Sequence, residues 1–130
     1  MREIELHLPM QKLKNTLFFC SMGLILFAFS KEKLEKGTAS YYGKSFEGRK
    51  TASGETLRND SLTAAHKTLK FGTLVKVTNQ KNDSVVIVKI NDRLPKSSSR
   101  VIDLTLGAAK QLNFIKAGLT TVTLEILEKK

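Results

Sequence analysis

The sequence predicts a small all-β domain, a closed barrel with one short helix, behind an N-terminal export segment. Three observations carry this prediction. Past residue 36, short alternating runs recur with turn residues between them. Only one stretch, from Leu106 to Asn113, has apolar residues at helical spacing. The residues that follow the leader number about 100, enough for one domain with a modest core, which favours a compact barrel.

The leader comes first. Met10-Gln11-Lys12-Leu13-Lys14 is basic, Leu17 to Phe29 is apolar and uncharged, and Ala28-Phe29-Ser30 offers small residues for a cut after Ser30. Basic, apolar, small is the order of a secretory signal, so residues 1–30 are expected to be a signal peptide, with Met10 a possible true start. The apolar run is shorter than the roughly 20 residues of a spanning helix. Retention as an anchor is the alternative. Cys20 is the only cysteine, so no internal disulfide is possible. Phe19 precedes it where a lipidation signal needs a small residue, and Cys20 reads as part of the apolar run. Membrane association is therefore expected only through an uncleaved leader or a lipidated Cys20. Residues 31–36 are charged and read as a tether.

The domain elements follow in order. Thr38 to Tyr42 is β-prone and ends at Gly43. Residues 44–61 are rich in Gly, Ser, Lys, Arg and Asn without a period, which predicts a long loop of the kind that is either functional or disordered. Leu62-Thr63-Ala64-Ala65 is a short apolar piece ahead of His66. Thr73 to Asn79 alternates, Gln80 to Asp83 is a polar turn, and Ser84 to Asn91 is the strongest strand; together they make a hairpin. After the loop Lys96 to Arg100 comes the short strand Val101 to Leu104. Thr105 then caps the helix, with Ala108, Ala109 and Leu112 on one face. Leu119 to Leu127 alternates and closes the domain.

Residues 31–130 carry 19 of the 22 Lys and Arg and 10 of the 12 Asp and Glu, a net charge of +9. Such a field favours acidic partners. Nucleic acid is not expected, because export separates the chain from it and no basic aromatic helix or finger spacing is present. The cell wall and the membrane surface are the remaining acidic partners.

Few acids lack an easy solvated explanation. Glu32 and Glu35 fall in the tether, Asp83 in the hairpin turn, and Glu125 and Glu128 at the C-terminus. Glu55 follows Ser53-Gly54 in the loop stretch TASGE. Asp92 stands at the end of the strongest strand, before Arg93 and the Pro95 turn, where either partial burial raises its pKa or Arg93 lowers it. Asp103 precedes the Thr105 cap and has a structural role open to it. His66 lacks His and Cys partners for a zinc site and suits a hydrogen bond to a carboxylate. No Ser or Cys nucleophile is supported, and neither metal nor cofactor is expected.

Eight pieces in order resemble one family. They are Gly37-Thr-Ala-Ser-Tyr-Tyr-Gly43, Phe46-Glu-Gly48, Thr51-Ala-Ser-Gly-Glu55, Leu62-Thr-Ala-Ala-His66-Lys-Thr-Leu69, Phe71-Gly-Thr73, Val77-Thr-Asn79, Ile90-Asn-Asp-Arg93 with Pro95, and Val101-Ile-Asp-Leu104. Together they closely resemble the rare lipoprotein A (RlpA) family, from about Gly37 to Leu127. The resemblance implies a six-stranded double-psi β-barrel over residues 37–128. It also implies lytic transglycosylase activity on the bond between N-acetylmuramic acid and N-acetylglucosamine of peptidoglycan. It implies Asp92, Glu55 and His66 as the catalytic residues. Asn91, Arg93, Asp103 and Tyr41 are then the candidates for holding glycan, with Asp103 also a rival for the acid role. Tyr41 and Tyr42 are candidates to stack on sugar, with one of them facing the core.

Two departures stand out. Leu94 replaces the family's usual glycine between Arg93 and Pro95, and would be strained if that position needs a positive φ. The C-terminal SPOR domain that many members carry is not expected here, since no such segment follows the barrel residues. The alternative function is a non-catalytic, expansin-like wall-binding module; a true hydrolase, needing two carboxylates and a water, is a third. A monomer in the periplasm or cell envelope is expected.

Overall fold

The computed structural model describes residues 34–128. The predicted leader and residues 31–33 lie outside the described residues. β1 spans Leu34–Tyr41 and is followed by a 3-10 turn at Lys44–Phe46. β2 (Thr63–His66), β3 (Leu74–Asn79), β4 (Val85–Arg93), β5 (Arg100–Leu104), the helix α1 (Leu106–Gln111) and β6 (Thr120–Glu128) complete the order.

The strands close into a barrel in the order β1-β5-β2-β4-β3-β6. β1 with β5, and β2 with β4, run parallel; the other pairs are antiparallel. The expected six-stranded all-β barrel with one short helix is what forms.

Alternation explains the strands. Val75 and Val77 of β3, Val86, Val88 and Ile90 of β4, Ile102 and Leu104 of β5, and Val122 and Leu124 of β6 turn inward and are buried. Residues between them, such as Lys76 and Ile87, face outward. α1 is capped as predicted, with Thr105 Oγ1 accepting from Ala108 N at 3.4 Å, and it buries Ala108, Ala109 and Leu112. The helix stops short of the predicted Asn113 because that residue takes a left-handed φ of 56°.

One boundary is corrected. The tether does not extend to residue 36, because β1 begins at Leu34. Leu34–Ala39 pair antiparallel with Glu125–Thr120 of β6, which holds these charged residues in the sheet.

Each parallel pair contains one irregularity, and both lie beside the site. On β4, Ala64 pairs with Ile90 and Ala65 with Asp92, so Asn91 is an extra residue. On β5, Thr38 pairs with Arg100 and Ala39 with Ile102, so Val101 is extra. An extra residue re-aims the side chains after it. As a result Ser40, Asp103, Ala65 and Asp92 stand at matched positions across β1, β5, β2 and β4.

Candidate active site

Matched positions on neighbouring strands point to the same face, and Ile102, Leu104 and Ala64 point the other way, into the core. The row Ser40–Asp103–Ala65–Asp92 is therefore on the barrel's outer face. The two carboxylates flank Ala65, two strand spacings or roughly 10 Å apart at Cα.

Asp92 is held by three donors. Ala52 N and Arg93 N donate to Oδ1, at 2.8 and 2.9 Å, and the Tyr42 hydroxyl donates to Oδ2 at 2.6 Å. Tyr42 follows the end of β1, fixed by its N–H to Leu104 O at 2.9 Å. Burial, with the Asp92 hydrogen bond and the charges of Asp92 and Asp103, pushes the Tyr42 phenol far above its ordinary range. It stays a donor at every physiological pH.

The stretch TASGE is a closed loop docked on the end of β4. Thr51 N and Oγ1 both donate to Glu55 O, at 2.8 and 2.9 Å, and Gly54 N donates to Thr51 O. Gly54 has φ 91°, a conformation open to glycine at little strain. Ser53 N donates to Asn91 O at 3.2 Å, alongside the Ala52–Asp92 bond. The loop thus fixes Asp92 with its backbone and presents Glu55 next to it along β4. The Glu55 carboxylate accepts from Lys89 Nζ at 2.8 Å and Asn91 Nδ2 at 3.0 Å. These hydrogen bonds, Lys89's first, hold Glu55 below the usual carboxylate range. Glu55 is an anion near neutral pH.

Asn91 is buried and reaches Glu55. Its Nδ2 meets the carboxylate, while its buried Oδ1 has no partner among the described residues. Asp103 is bound bidentately by Arg100, Nε to Oδ1 at 2.7 Å and an Nη to Oδ2 at 3.1 Å, and Ser40 Oγ also donates to Oδ1. The Arg93 guanidinium stacks on Phe71, 4.2 Å from the ring centroid, and donates to His66 O. It makes no ion pair with Asp92 among the described residues.

Two candidates are placed elsewhere. Tyr41 is packed against the core, edge-on to Phe114 at 5.6 Å, with its hydroxyl donating to Ile115 O. Of the two tyrosines, Tyr41 packs toward the core and Tyr42 is the one that meets Asp92. His66 does bind a carboxylate, but its partner is Glu35, 2.8 Å from Nε2. Its Nδ1 accepts from Thr68 N and Leu69 N, both at 3.1 Å, so the hydrogen of the neutral ring is on Nε2. Among the described residues no hydrogen bond joins the ring to Asp92, Glu55 or Asp103. Glu35, read as a solvated tether residue, is instead the partner of a buried histidine.

Leu94 is not strained in the way feared. Its φ is not positive, its side chain is 3 % exposed, and its N–H donates to His66 O. No group of three or more His, Cys, Asp or Glu among the described residues is placed to hold a metal.

Sequence reasoning missed Tyr42 as the donor to Asp92, Ala52 as its backbone partner, and the Glu35–His66 pair. The first had a weak signal: one tyrosine of an adjacent pair at a strand end must face away from the core.

Fold and site together define a small mixed β-barrel that carries fixed carboxylates on one outer face. The chain belongs to the lytic transglycolase family, which matches residues 34–124. It is 50% identical over 91 residues to the Campylobacter jejuni endolytic peptidoglycan transglycosylase RlpA, covering 70% of this chain and 33% of that one. It is 48% identical over 97 residues to the Synechocystis probable endolytic peptidoglycan transglycosylase RlpA, covering 75% and 30%. The chain thus spans about a third of the length of these relatives. Among solved structures, an expansin of Clavibacter michiganensis superposes with TM-score 0.59 at 19% identity, over 75% of this chain and 52% of that one. A Streptomyces papain inhibitor superposes with TM-score 0.60 at 20% identity, over 74% and 96%. At these identities the two structures share the fold alone.

Proposed function

We propose that this barrel is a peptidoglycan lytic transglycosylase, cleaving the β-1,4 bond between N-acetylmuramic acid and N-acetylglucosamine. The observation that carries the proposal is the fixed position of Asp92 on an outer face, one oxygen held by two backbone donors and the other by a phenol. Membership of the lytic transglycolase family and the names of the relatives support the substrate class.

The chemistry needs one acid that becomes one base. Protonated Asp92 gives its proton to the glycosidic oxygen. The bond from the muramic anomeric carbon to that oxygen breaks, and the N-acetylglucosamine side leaves with a free 4-hydroxyl. The muramic C6 hydroxyl attacks the anomeric carbon and gives its proton to the Asp92 carboxylate. A 1,6-anhydro end results, no water is consumed, and Asp92 is protonated again. The nucleophile belongs to the sugar already bound, so little orientation remains to be achieved. Glu55, held ionised, faces the positive charge that develops at the anomeric carbon. His66 positions the strand end through Glu35 and the Lys67–Leu69 turn, and Asn91 positions Glu55. Arg93 and the Arg100–Asp103 pair serve the glycan. Peptidoglycan as substrate implies a periplasmic or cell-envelope location.

The test is incubation of the chain with purified peptidoglycan and mass analysis of soluble products, beside Asp92→Asn. Anhydro-muropeptides from the wild type and a loss of about 10²–10⁴-fold in the variant are expected. Reducing muramic ends would show a hydrolase instead, and binding without release a wall-binding module.

A further inference from the structure

Asp92 must alternate between acid and carboxylate, and its two oxygens are not equivalent. Oδ1 accepts two backbone N–H groups, which cannot turn away. A proton on Oδ1 would displace one of them, so the proton of the acid form belongs on Oδ2. Among the described residues the one group that meets Oδ2 is the Tyr42 hydroxyl, which arrives from the end of β1, three strands away in the barrel order.

We infer that Tyr42 is a positioning residue for the acid–base group: its hydroxyl marks Oδ2 as the oxygen that carries the proton and steadies the carboxylate after the proton leaves. This rests on the reading of Asp92 as the acid.

The physical argument is local. A hydroxyl can rotate, so Tyr42 accommodates both states of Oδ2, donating to the anion and accommodating the extra hydrogen of the acid. A backbone N–H could not do this. The ring is also held from below, tilted against Phe46 with centroids 5.8 Å apart, and Phe46 in turn carries the Arg49 guanidinium 4.7 Å from its centroid. The ring is therefore braced on one side while the hydroxyl can turn. The other charged groups around Asp92 are already committed. On β5, Asp103 is paired with Arg100; on β2, His66 is paired with Glu35; on β4, Arg93 lies on Phe71 and Lys89 on Glu55. Among the described residues Tyr42 is left as the side chain that bonds the Asp92 carboxylate directly.

The experiment is Tyr42→Phe in the full chain, which keeps the ring and its packing on Phe46. Two readouts are taken against pH: the rate of anhydro-muropeptide release, and the carbon-13 shift of the Asp92 carboxyl by NMR. A hydrogen bond to a charged group is worth about one to two pKa units. The Asp92 carboxyl must therefore titrate about one unit or more higher in the variant. The alkaline limb of the rate must move up with it, since a general acid works only while protonated. Replacing both tyrosines with 3-fluorotyrosine, a stronger donor of nearly the same shape, must move both readouts down. An Asp92 titration that Tyr42→Phe leaves in place overturns the inference, whatever the rate does. A rate that collapses while its pH limb stays fixed also overturns it, because the proton would then pass through Tyr42 itself or the ring would be merely structural. If the wild type releases no anhydro product, the proposed function fails, and the NMR titration alone still decides what Tyr42 does to Asp92.

Discussion

Replacing His66 separates a structural role from a chemical one. The ring is 4 % exposed and makes three hydrogen bonds, one to Glu35 and two from the backbone of Thr68 and Leu69. His66→Ala removes the acceptor for two backbone N–H groups, each costing about 1 kcal/mol if unmet. Loss of the ring's packing adds about 1–2 kcal/mol. The ring lines a cavity of about 250 Å³ with Leu34, Leu69 and Ile126, so water can reach part of the gap. The net loss is about 3 kcal/mol, or roughly 15 °C in Tm for a domain of this size. His66→Asn behaves differently. Its amide oxygen stands near the place of Nδ1 and accepts from the same N–H groups, so the loss falls to about 1.5 kcal/mol. The assay is urea denaturation followed by circular dichroism, with glycan release measured where both variants are folded. The Ala variant should be unstable, and the Asn variant folded and active within about tenfold of wild type. A folded Asn variant as dead as Asp92→Asn would refute the argument and put His66 in the chemistry.

Two further outcomes follow from the same geometry. Lys89→Met removes the largest cause of Glu55's depressed pKa, so the acid limb of the rate profile should move up toward the ordinary glutamate range, between about pH 3 and 6. The sign is that of any lowered carboxylate: its ionised form, and whatever depends on it, persists above the folded pKa and is lost as pH falls through it. Leu94→Gly, which restores the family residue, should cost about 3–4 kcal/mol in urea denaturation because it empties a buried site, and should not raise glycan release. Unchanged stability would mean that Leu94 does not pack as described.

The strands were legible because their residues alternate. Thr73–Asn79 and Ser84–Asn91 have the period of a half-buried strand, and the hairpin between them is local. The start of β1 was not legible. Leu34-Glu35-Lys36 has the composition of a tether, and it becomes a strand only because β6, some 90 residues later, offers it a partner. Glu55 and Asp92 stood out because acids are few in the chain and these two adjoin a glycine turn and an apolar strand end. The partners of Asp92 and His66 did not stand out, because each comes from a distant segment: Tyr42 lies 50 residues before Asp92, and Glu35 lies 31 before His66. Which of Tyr41 and Tyr42 faces inward depends on the phase of β1, and the extra residue Val101 on its parallel neighbour decides which side chains then meet across the pair. Leu94 was judged by a backbone demand that this chain does not make.

The pairing of β1 with β6 has a kinetic consequence. The first strand of the barrel has no partner in its own vicinity. Its neighbours are β5, some 60 residues on, and β6 at the far end of the domain. Only β3 and β4 can associate early, through their short turn. Domains built on such distant pairings fold in milliseconds to seconds rather than microseconds. The barrel cannot seal before the nine residues of β6 are available. For a chain exported as proposed, that delay keeps it threadable until its last strand has been delivered, and the hydrogen bonds that hold Asp92 in place are assembled only on arrival.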